Sequence, residues 1–591
     1  YGYIKIESIL LFTSINKNTN TMAYKFISKD RTYKEWSVCN SDTFERIEGV
    51  EFNPLRDKLF NQDIFDLEQD GTAKVHNSVI RSSQYISAVL MISKKKTFGN
   101  YNKKHLYKCV PDDVRLPVFL VPYEIKNTGF SKVVKNKYVV IRFDNWDGKH
   151  PIGKIHNTIG DVDKLENFYE YLLYCKSLYA SIQQFTKDTS QALKQRSTDE
   201  FIDTIKTKYN LEDRTSLHVY TIDPEKSKDF DDAFSFMGCG DKQILSIYIS
   251  NVSLWMEELN LWQSFSERIS TIYLPDKKRP MLPTILSECL CSLLENEKRF
   301  AFTMDVCIDG NEIVDVTFKN TLIQVKKNLR YDSPDIEDNI TYQNIFKTLT
   351  KLNKKYKYTD NITTSHDVIA YLMILMNYYS SQELLKYKTG IFRNAEKNNS
   401  VNAPKTLPAD IQKFLTYWKS SGGVYEKISE DNTENIRSHE LLNLDSYVHI
   451  TSPIRRLVDL LNIIQIQDNL KILPFTTKST LFYNKWTSPQ KLDYINKTMR
   501  AIKKVQCSCN LLELCTKTPE VTEKVYNGYL FDKIVRTDHL YQYVAYIHDL
   551  RIISKFVSRH EFDDYSSHKF KLYIFNDEAR FKRKIRIMMV E

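Results

Sequence analysis

Four aspartates lie within a ten-residue stretch near the middle of the chain. They are Asp223, Asp229, Asp231 and Asp232. Carboxylates this close repel one another, so a protein keeps them together only where a cation neutralises them or water solvates them. Their hard oxygen atoms suit Mg²⁺ or Mn²⁺, whereas Ala233 and Phe234 stand where a calcium-binding loop needs a ligand and a glycine. The cluster indicates a metal-dependent catalytic site, with a solvated acidic turn as the alternative.

The acidic cluster lies between two segments that have the pattern of buried strands. Residues 217–222 are rich in β-branched side chains, and Pro224 ends this strand because it has no backbone N–H to donate. Residues 244–249 form a second apolar run. We therefore expect two rigid elements to hold the acidic loop.

A second motif, far downstream, could meet a phosphate. Ser452 and Pro453 predict the start of a helix, with Pro453 near its first turn. Arg455 and Arg456 would then lie at the positive end of that helix and form an anion site. The alternative is that both arginines pair with acidic side chains.

Composition places this chain among large folded proteins with a basic surface. Its 591 residues exceed one compact core, and 42% hydrophobic and 13% aromatic content exclude a disordered chain. The net charge is +10 with a pI near 8.8, although acidic groups cluster in the middle. This distribution indicates a polyanionic substrate.

The ten cysteines include no Cys-x-x-Cys pair, so ordinary zinc spacing is absent from the sequence. Scattered thiols of this kind favour a reducing compartment, the cytosol or the nucleus. No apolar run reaches the length of a membrane span. The chain begins at Tyr1, and Met22 is a candidate start.

Three other regions consist of short apolar runs broken by polar, Gly or Pro residues, the pattern of small β-barrels. They are residues 45–121, 137–160 and 521–591. In the first, Lys94–Lys96 lie near Phe98 and Tyr101, which indicates a platform for single strands or a solvated basic loop. Residues 179–215 are predicted to form a polar, helical linker.

The central region mixes extended and helical patterns. Pro280 and Pro283 force the two residues between them into an extended segment beside the core. Apolar residues at helical spacing predict a long helix over 365–388, and its apolar stripe is expected to pack into the core.

These motifs resemble the ribonuclease II/R exoribonucleases, the family with an RNB catalytic domain. The closer likeness is to eukaryotic-type members related to the exosome's catalytic subunit. The resemblance covers residues 110–591 and rests on three motifs in the family's order. They are Thr221–Asp232, the Pro-Met-Leu-Pro and Leu-Cys-Ser-Leu segment at 280–293, and Thr451–Arg456.

The resemblance implies an α+β multidomain protein with cold-shock-like OB barrels, a central α/β RNB domain and a C-terminal S1-like OB barrel. The predicted divisions are an N-terminal extension (1–44), two cold-shock-like domains (45–115 and 116–178), the RNB catalytic domain (179–515) and an S1-like RNA-binding domain (521–591). An N-terminal nuclease domain like that of the exosome subunit is not visible, so we expect a shorter architecture.

The resemblance also implies processive 3′→5′ hydrolysis of single-stranded RNA to nucleoside 5′-monophosphates by a two-metal mechanism. The expected ligands of Mg²⁺, or of Mn²⁺ in its place, are Asp223, Asp229 and Asp232. Asp231 is expected to be the most sensitive catalytic acid, and Arg455 to neutralise charge on the scissile phosphate. The expected RNA contacts are Tyr273, Tyr331 and Arg456, with structural pairing as the alternative for Arg456.

We further expect single-stranded RNA as the partner, no membrane and no obligatory protein partner. This predicts a monomer in the cytoplasm, with the nucleus as the alternative.

Two departures from the family pattern put substrate discrimination in question. Ala370 and Tyr371 stand before Met373 and Asn377 where the long helix usually carries acidic residues, and Asn251 replaces an aspartate. A catalytically inactive RNA-binding protein on the same scaffold is the main alternative, and a metal-dependent endonuclease or DNA nuclease is the third. Such inactive relatives are expected to have lost loop aspartates, and this chain retains all four.

Overall fold

A computed structural model of the chain describes ten stretches of the sequence. They are residues 23–83, 85–125, 133–239, 242–331, 333–397, 404, 406–420, 422–428, 438–577 and 581–590. The chain forms two compact units, the first from residues 1–179, 507–526 and 569–591 and the second from 180–506 and 527–568. Half of the predicted N-terminal extension, residues 1–22 with Met22, lies outside the described residues.

The first unit contains an antiparallel five-stranded sheet. Its strands are β1 (Tyr24–Ser28), β2 (Trp36–Asn40), β3 (Arg46–Ile47), β4 (Ile64–Leu67) and β5 (Ala73–Asn77), and the short helix α1 (Val79–Ser82) follows. The strand order is β3-β2-β1-β4-β5. The boundary predicted at 44/45 is therefore wrong, because β2 and β3 pair across it, with Val38 opposite Ile47.

A second sheet follows in the same unit. Its strands are β6 (Ile86–Leu90), β7 (Asn100–Tyr101), β8 (Lys104–Pro111), β9 (Phe119–Tyr123), β10 (Lys137–Asn145) and β11 (Ile152–Asp161), and helix α2 spans Leu165–Cys175. The order is β6-β10-β11-β9-β8-β7, and β6 also pairs with β8, which closes five strands into a ring. The boundary predicted at 115/116 is wrong because Leu106 of β8 pairs with Pro122 of β9. In sequence, the polar turn between paired strands resembles a linker.

The second unit begins with helices α3 (Gln183–Ala192) and α4 (Thr198–Lys208). Ser197 and Glu200 cap the start of α4 reciprocally, side chain to backbone. These helices confirm the helical part of the prediction for 179–215, but the prediction of a linker is wrong, because Phe185 and Phe201 are buried in the hydrophobic core of this unit. Both helices also have polar faces, so the composition of this segment does not reveal that its other faces are packed into the core.

A closed five-stranded barrel positions the acidic loop. Its strands are β12 (Glu212–Asp223), β13 (Asp232–Cys239), β14 (Lys242–Ser250), β17 (Lys298–Asp309) and β18 (Glu312–Arg330), in the order β12-β13-β14-β17-β18. β12 pairs with β13 antiparallel and with β18 in parallel. The two strands predicted around the acidic loop are thus β12 and β14, and a further strand, β13, begins at the loop itself.

Helices and two small two-stranded sheets complete the middle of the chain. The helices are α5 (Val252–Glu258), α6 (Pro334–Glu337), α7 (Ile340–Lys355), α8 (Ser365–Lys386), α9 (Ala409–Lys419), α10 (Leu457–Asn469), α11 (Thr477–Trp486) and α12 (Pro489–Lys517). One sheet is the hairpin of β15 (Ile272–Tyr273) and β16 (Lys278–Arg279), and the other pairs β19 (Ile391–Asn394) with β20 (Val424–Lys427), which follows α9. Helix α8 confirms the long helix predicted over 365–388.

The C-terminal region contains the short helix α13 (Glu520–Glu523) and five strands. The strands are β21 (Tyr526–Val535), β22 (Tyr541–Ile547), β23 (Ile552–Ser558), β24 (Ser567–Asp577) and β25 (Lys582–Val590). β21, β22 and β23 form an antiparallel meander, and β24 pairs with β25. Within the described part of the chain, no helix is both long and apolar enough to cross a membrane.

Candidate active site

A cavity of about 890 Å³ lies in the second unit, where the acidic loop faces the arginine motif. Its walls come from the loop between β12 and β13, the region of the β15–β16 hairpin, and the turn before α10. Six of the eight predicted site residues line it: the four loop aspartates, Tyr273 and Arg455. The two that do not are Tyr331 and Arg456.

The barrel fixes the ends of the acidic loop. Asp223 is the last residue of β12 and Asp232 the first of β13, and these strands pair at Tyr220 and Phe234. The backbone N–H of Ser250 donates to the carbonyl of Asp231 at 2.8 Å, which ties the loop to the end of β14. Neighbouring strand ends therefore bring the first and last aspartates of the loop together.

Ser292 anchors the middle of the same loop. Its buried hydroxyl accepts a hydrogen bond from the N–H of Phe230 at 3.0 Å and donates to the carbonyl of Lys228 at 3.0 Å. The N–H of Leu293 also donates to the carbonyl of Phe230. The Leu-Cys-Ser-Leu motif thus supports the loop from behind.

Asp231 and Arg455 join the acidic loop to the arginine motif. The guanidinium Nε of Arg455 donates to Oδ2 of Asp231 at 3.1 Å, and the N–H of Ile454 donates to Oδ1 at 3.0 Å. The Asp231 side chain is only 3% exposed, whereas that of Arg455 is 44% exposed. Arg455 therefore reaches from a buried carboxylate into the open part of the cavity.

Burial disfavours the charged form of three loop carboxyls. It raises the pKa of Asp231 to about 7, although Arg455 opposes the shift. Burial and repulsion from Asp232 raise the pKa of Asp223, and burial likewise raises that of Asp232. One oxygen of Asp223, Oδ2, is buried and has no hydrogen-bond partner among the residues that the structure describes. Hard oxygen donors with an unsatisfied lone pair suit Mg²⁺, so this part of the cavity fits the predicted ion.

Asp229 is held differently from the other loop aspartates. The ammonium of Lys278 lies 2.8 Å from its Oδ1, and the hydroxyl of Tyr273 donates to its Oδ2 at 3.2 Å. The same ammonium lies 2.9 Å from Oε1 of Glu288. In the described residues, no three His, Cys, Asp or Glu side chains are arranged to hold a metal ion.

Arg456 is directed into the protein interior. Its guanidinium lies 2.8 Å from Oδ1 of Asp459, which is fully buried and also accepts from the N–H of Ser452 at 2.8 Å. A second guanidinium nitrogen lies 3.5 Å from the ring of His449, and burial and the nearby Arg456 lower the pKa of this histidine. Arg456 therefore pairs with an acid, as the structural alternative expects, and its predicted RNA contact stays a prediction.

The predicted helix start at Ser452–Pro453 is wrong. Residues 452–455 form a turn, closed where the carbonyl of Ser452 accepts from the N–H groups of Arg455 and Arg456, and α10 begins at Leu457. Arg455 therefore precedes the helix by two residues. Its position depends on Asp231 and on the hydroxyl of Ser452, to which it donates at 2.9 Å.

Tyr331 lies beside the acidic loop rather than in the cavity wall. Its N–H donates to the carbonyl of Asp223 at 3.2 Å. Its ring stacks on the ring of His366, with centroids 3.9 Å apart. The predicted RNA contact of Tyr331 stays a prediction, and the stacked histidine at the start of α8 is a partner that sequence reasoning missed.

The positions that depart from the family pattern have structural roles here. Asn251 caps the start of α5 and donates to the side chain of Asn320 at 2.8 Å. Tyr371 is buried and donates to the carbonyl of Tyr356, while Ala370 is exposed. Asn377 accepts from the N–H of Ile450 at 2.9 Å and so supports the approach to the arginine motif.

Two families match parts of this chain. Residues 211–358 match the RNB domain, and residues 106–176 match the Dis3-like cold-shock domain 2. The chain carries an RNB domain. The RNB match contains the acidic loop, the β15–β16 hairpin and Tyr331, whereas Arg455 lies beyond it.

Curated relatives of this RNB protein are exoribonucleases at modest identity. Ribonuclease R of Buchnera aphidicola is 26% identical over 381 residues, which cover 52% of this chain and 50% of the relative. Exosome complex exonuclease RRP44 of Mus musculus is 25% identical over 332 residues, covering 54% and 33%. The matches thus take in between a third and a half of the length of these relatives.

Solved structures share the fold. RNase R of Mycoplasma genitalium, in complex with ribose-methylated single-stranded RNA, has a TM-score of 0.65 at 15% identity, covering 96% of this chain and 100% of that one. Yeast Ssd1, described as a pseudonuclease, has a TM-score of 0.55 at 13% identity, covering 90% and 78%. The predicted fold class is confirmed: a mixed α/β multidomain chain with OB-type barrels and a central RNB domain. The fold alone does not decide activity, because one neighbour is a pseudonuclease.

Sequence reasoning missed three residues that shape the site: Lys278, Glu288 and Asp459. Lys278 belongs to a basic run, Lys277–Arg279, that could equally be a solvated face. Glu288 lies inside an apolar motif that favours a core interpretation. Asp459 was visible as an acid three residues after Arg456, the helical spacing for a side-chain pair.

Proposed function

We propose that this chain is an Mg²⁺-dependent 3′→5′ exoribonuclease that degrades single-stranded RNA to nucleoside 5′-monophosphates. The observation that carries the proposal is the joining of Asp231 and Arg455 across one cavity that also contains the other loop aspartates. Direction, processivity and product rest on the relationship to ribonuclease R and RRP44. The cytoplasmic location and monomeric state are part of the same proposal.

The loop aspartates and Arg455 have different roles in the proposed reaction. Asp223, Asp229 and Asp232 would hold the divalent ions. Bound there, such ions would activate a water and offset charge on the departing 3′ oxygen. Arg455, which is 44% exposed, can meet the scissile phosphate while its other side remains against Asp231.

Asp231 keeps Arg455 in place and supplies a buried carboxylate beside the reacting phosphate. The N–H of Ile454 fixes its orientation. Tyr273, 39% exposed in the same wall, offers a ring face to a base or ribose near the 3′ end.

The experiment uses purified protein, Mg²⁺ and a single-stranded RNA labelled at its 5′ end. We expect a ladder that shortens from the 3′ end, nucleoside 5′-monophosphates as products, and loss of activity in EDTA that added Mg²⁺ restores. Internal cuts from the first time points would instead indicate an endonuclease. Equal activity on single-stranded DNA would contradict the assignment to RNA.

The second candidate is an RNA-binding protein without nuclease activity. One observation favours it: both oxygens of Asp229 are engaged by Tyr273 and Lys278. On that alternative, the protein binds RNA with an affinity that Mg²⁺ does not change and leaves the strand intact at every metal concentration tested. The same labelled RNA therefore separates the two candidates.

A further inference from the structure

Lys278 lies between two carboxylates in the wall of the cavity. Its ammonium is 2.8 Å from Asp229 and 2.9 Å from Glu288, and its side chain is 21% exposed. The side chains of Asp229 and Glu288 are also largely withdrawn from water, at 11% and 22% exposed. In partly buried surroundings, hydrogen bonds between charged groups are stronger than at an exposed surface.

The β15–β16 hairpin aims two donors at Asp229. Tyr273 and Lys278 stand directly opposite each other in this hairpin. The hydroxyl of Tyr273 donates a hydrogen bond to Oδ2 of Asp229, and the ammonium of Lys278 donates to Oδ1. The carboxylate that the proposed mechanism needs as a metal ligand is thus neutralised by the protein itself.

Glu288 is held at a fixed place relative to the acidic loop. It lies in a π-helical turn, Ile285–Leu290, and the residues directly after this turn bind the loop backbone through Ser292 and Leu293. Because the ammonium of Lys278 already contacts Glu288, it can give up Asp229 and keep a carboxylate partner.

A divalent ion on Asp229 and the ammonium of Lys278 would repel each other. An ion bound to this carboxylate at the usual distance of about 2.1 Å would lie within a few ångströms of the ammonium. Two cations at such a distance repel strongly in a partly buried site. Metal binding therefore requires that the ammonium leave Asp229.

We propose that Lys278 is the internal counter-ion of Asp229 in the metal-free protein, and that divalent metal displaces its ammonium from Asp229 and leaves it paired with Glu288 alone. Lys278 is then a positioning residue that sets how much Mg²⁺ the site needs. This inference rests on the proposed function, because it takes Asp229 as a metal ligand.

The test measures Mg²⁺ binding to the full chain by isothermal titration calorimetry, with metal removed beforehand and no RNA present. Lys278→Met and Lys278→Gln remove the competing ammonium, so we expect the Mg²⁺ dissociation constant to fall by about tenfold. Lys278→Arg keeps a cation there and should remain within about threefold of the wild type. Thermal unfolding of each variant verifies that it is folded.

Lys277→Met is the matched control, because Lys277 lines the same cavity and no ion pair to Asp229 is found for it among the described residues. It removes the same charge without freeing Asp229, so its dissociation constant should change far less than that of Lys278→Met. Glu288→Gln should weaken Mg²⁺ binding, because the ammonium loses its second partner. That effect should shrink in the Lys278→Met background, as a double-mutant cycle would show.

Each outcome has a distinct meaning. Weaker or unchanged Mg²⁺ binding in folded Lys278→Met overturns the inference, as does an equal shift in Lys277→Met, and both leave the proposed function intact. If the wild-type protein binds no Mg²⁺ and cleaves no RNA, the proposed function fails together with the inference.

Discussion

Arg455 and Arg456 are adjacent in the chain but belong to two different environments. The cavity side contains Arg455 and Asp231, a pair in which the cation is 44% exposed and free to meet a substrate. The support side contains Arg456, Asp459 and His449, where Asp459 is fully buried. Under the proposed function, Arg455 meets the scissile phosphate, whereas Arg456 holds the turn that places Arg455.

The support side should have the larger effect on stability. Arg456→Met leaves Asp459 buried without its ion-pair partner, so we expect the free energy of unfolding to fall by about 3–5 kcal/mol. Chemical denaturation of the variant and the wild type measures this loss. Adding Asp459→Leu should recover much of it, because a buried apolar pair replaces the lone charge. If Arg456→Met alone is as stable as the wild type, Arg456 does not support the turn, and the distinction between Arg455 and Arg456 is lost.

The cavity side should have the larger effect on cleavage. Arg455→Met should slow RNA cleavage by about 10²–10³-fold, since it removes one donor that stabilises charge on the phosphate. Its loss of stability should be smaller than that of Arg456→Met, because burial already raises the pKa of Asp231 to about 7 and its carboxyl can take up a proton once Arg455 is gone. Single-turnover rates at saturating protein measure the first effect, and denaturation measures the second. Near-normal cleavage by Arg455→Met would argue against its assigned role.

Mg²⁺ should stabilise the folded protein through the aspartates that line the cavity. At a Mg²⁺ concentration of about 100 times its dissociation constant, we expect the free energy of unfolding to rise by about 2.7 kcal/mol. Asp223→Asn should lose most of this gain, because Oδ2 of Asp223 is buried without a partner and is an expected ligand atom. Thermal unfolding with and without Mg²⁺ measures the gain. Equal gains in the wild type and in Asp223→Asn would show that Asp223 is not a ligand of the metal.

The smallest expected effect concerns the support of the acidic loop. Ser292→Ala removes the hydroxyl that binds the backbone at Phe230 and Lys228, which should cost about 1–3 kcal/mol of stability. Cleavage should fall modestly, because the loop aspartates keep their strand anchors. The matched control is Ser287→Ala, at another buried serine in the same segment, whose hydroxyl has no hydrogen-bond partner within the described part of the chain. A larger loss in the control would contradict this view of the loop.

Much of the site could be predicted from the sequence because its parts are local. The strand ending at Asp223 and the crowded carboxylates after it are visible as a short pattern, and so is the pair of arginines. Their meeting in one cavity was an expectation from the family resemblance, which the structure bears out for Asp231 and Arg455.

What could not be predicted depends on contacts between distant residues or on where a helix starts. The ammonium of Lys278 reaches Asp229 because the β15–β16 hairpin, whose strands have two residues each, turns back toward the loop. The start of α10 at Leu457 depends on the turn that Ser452 closes, and a Ser-Pro pair alone does not reveal it. The strand pairings across 44/45 and 115/116 were missed because the polar turns between paired strands resemble linkers.

The central claim is that Asp231 controls cleavage without controlling RNA binding. The direct measurement compares the wild type and Asp231→Asn, with Mg²⁺ and one 5′-labelled single-stranded RNA, for binding affinity and for cleavage rate. We predict that the variant binds the RNA within a few-fold of the wild type and produces no shortening ladder. Cleavage at the wild-type rate, or loss of binding together with cleavage, would contradict the account.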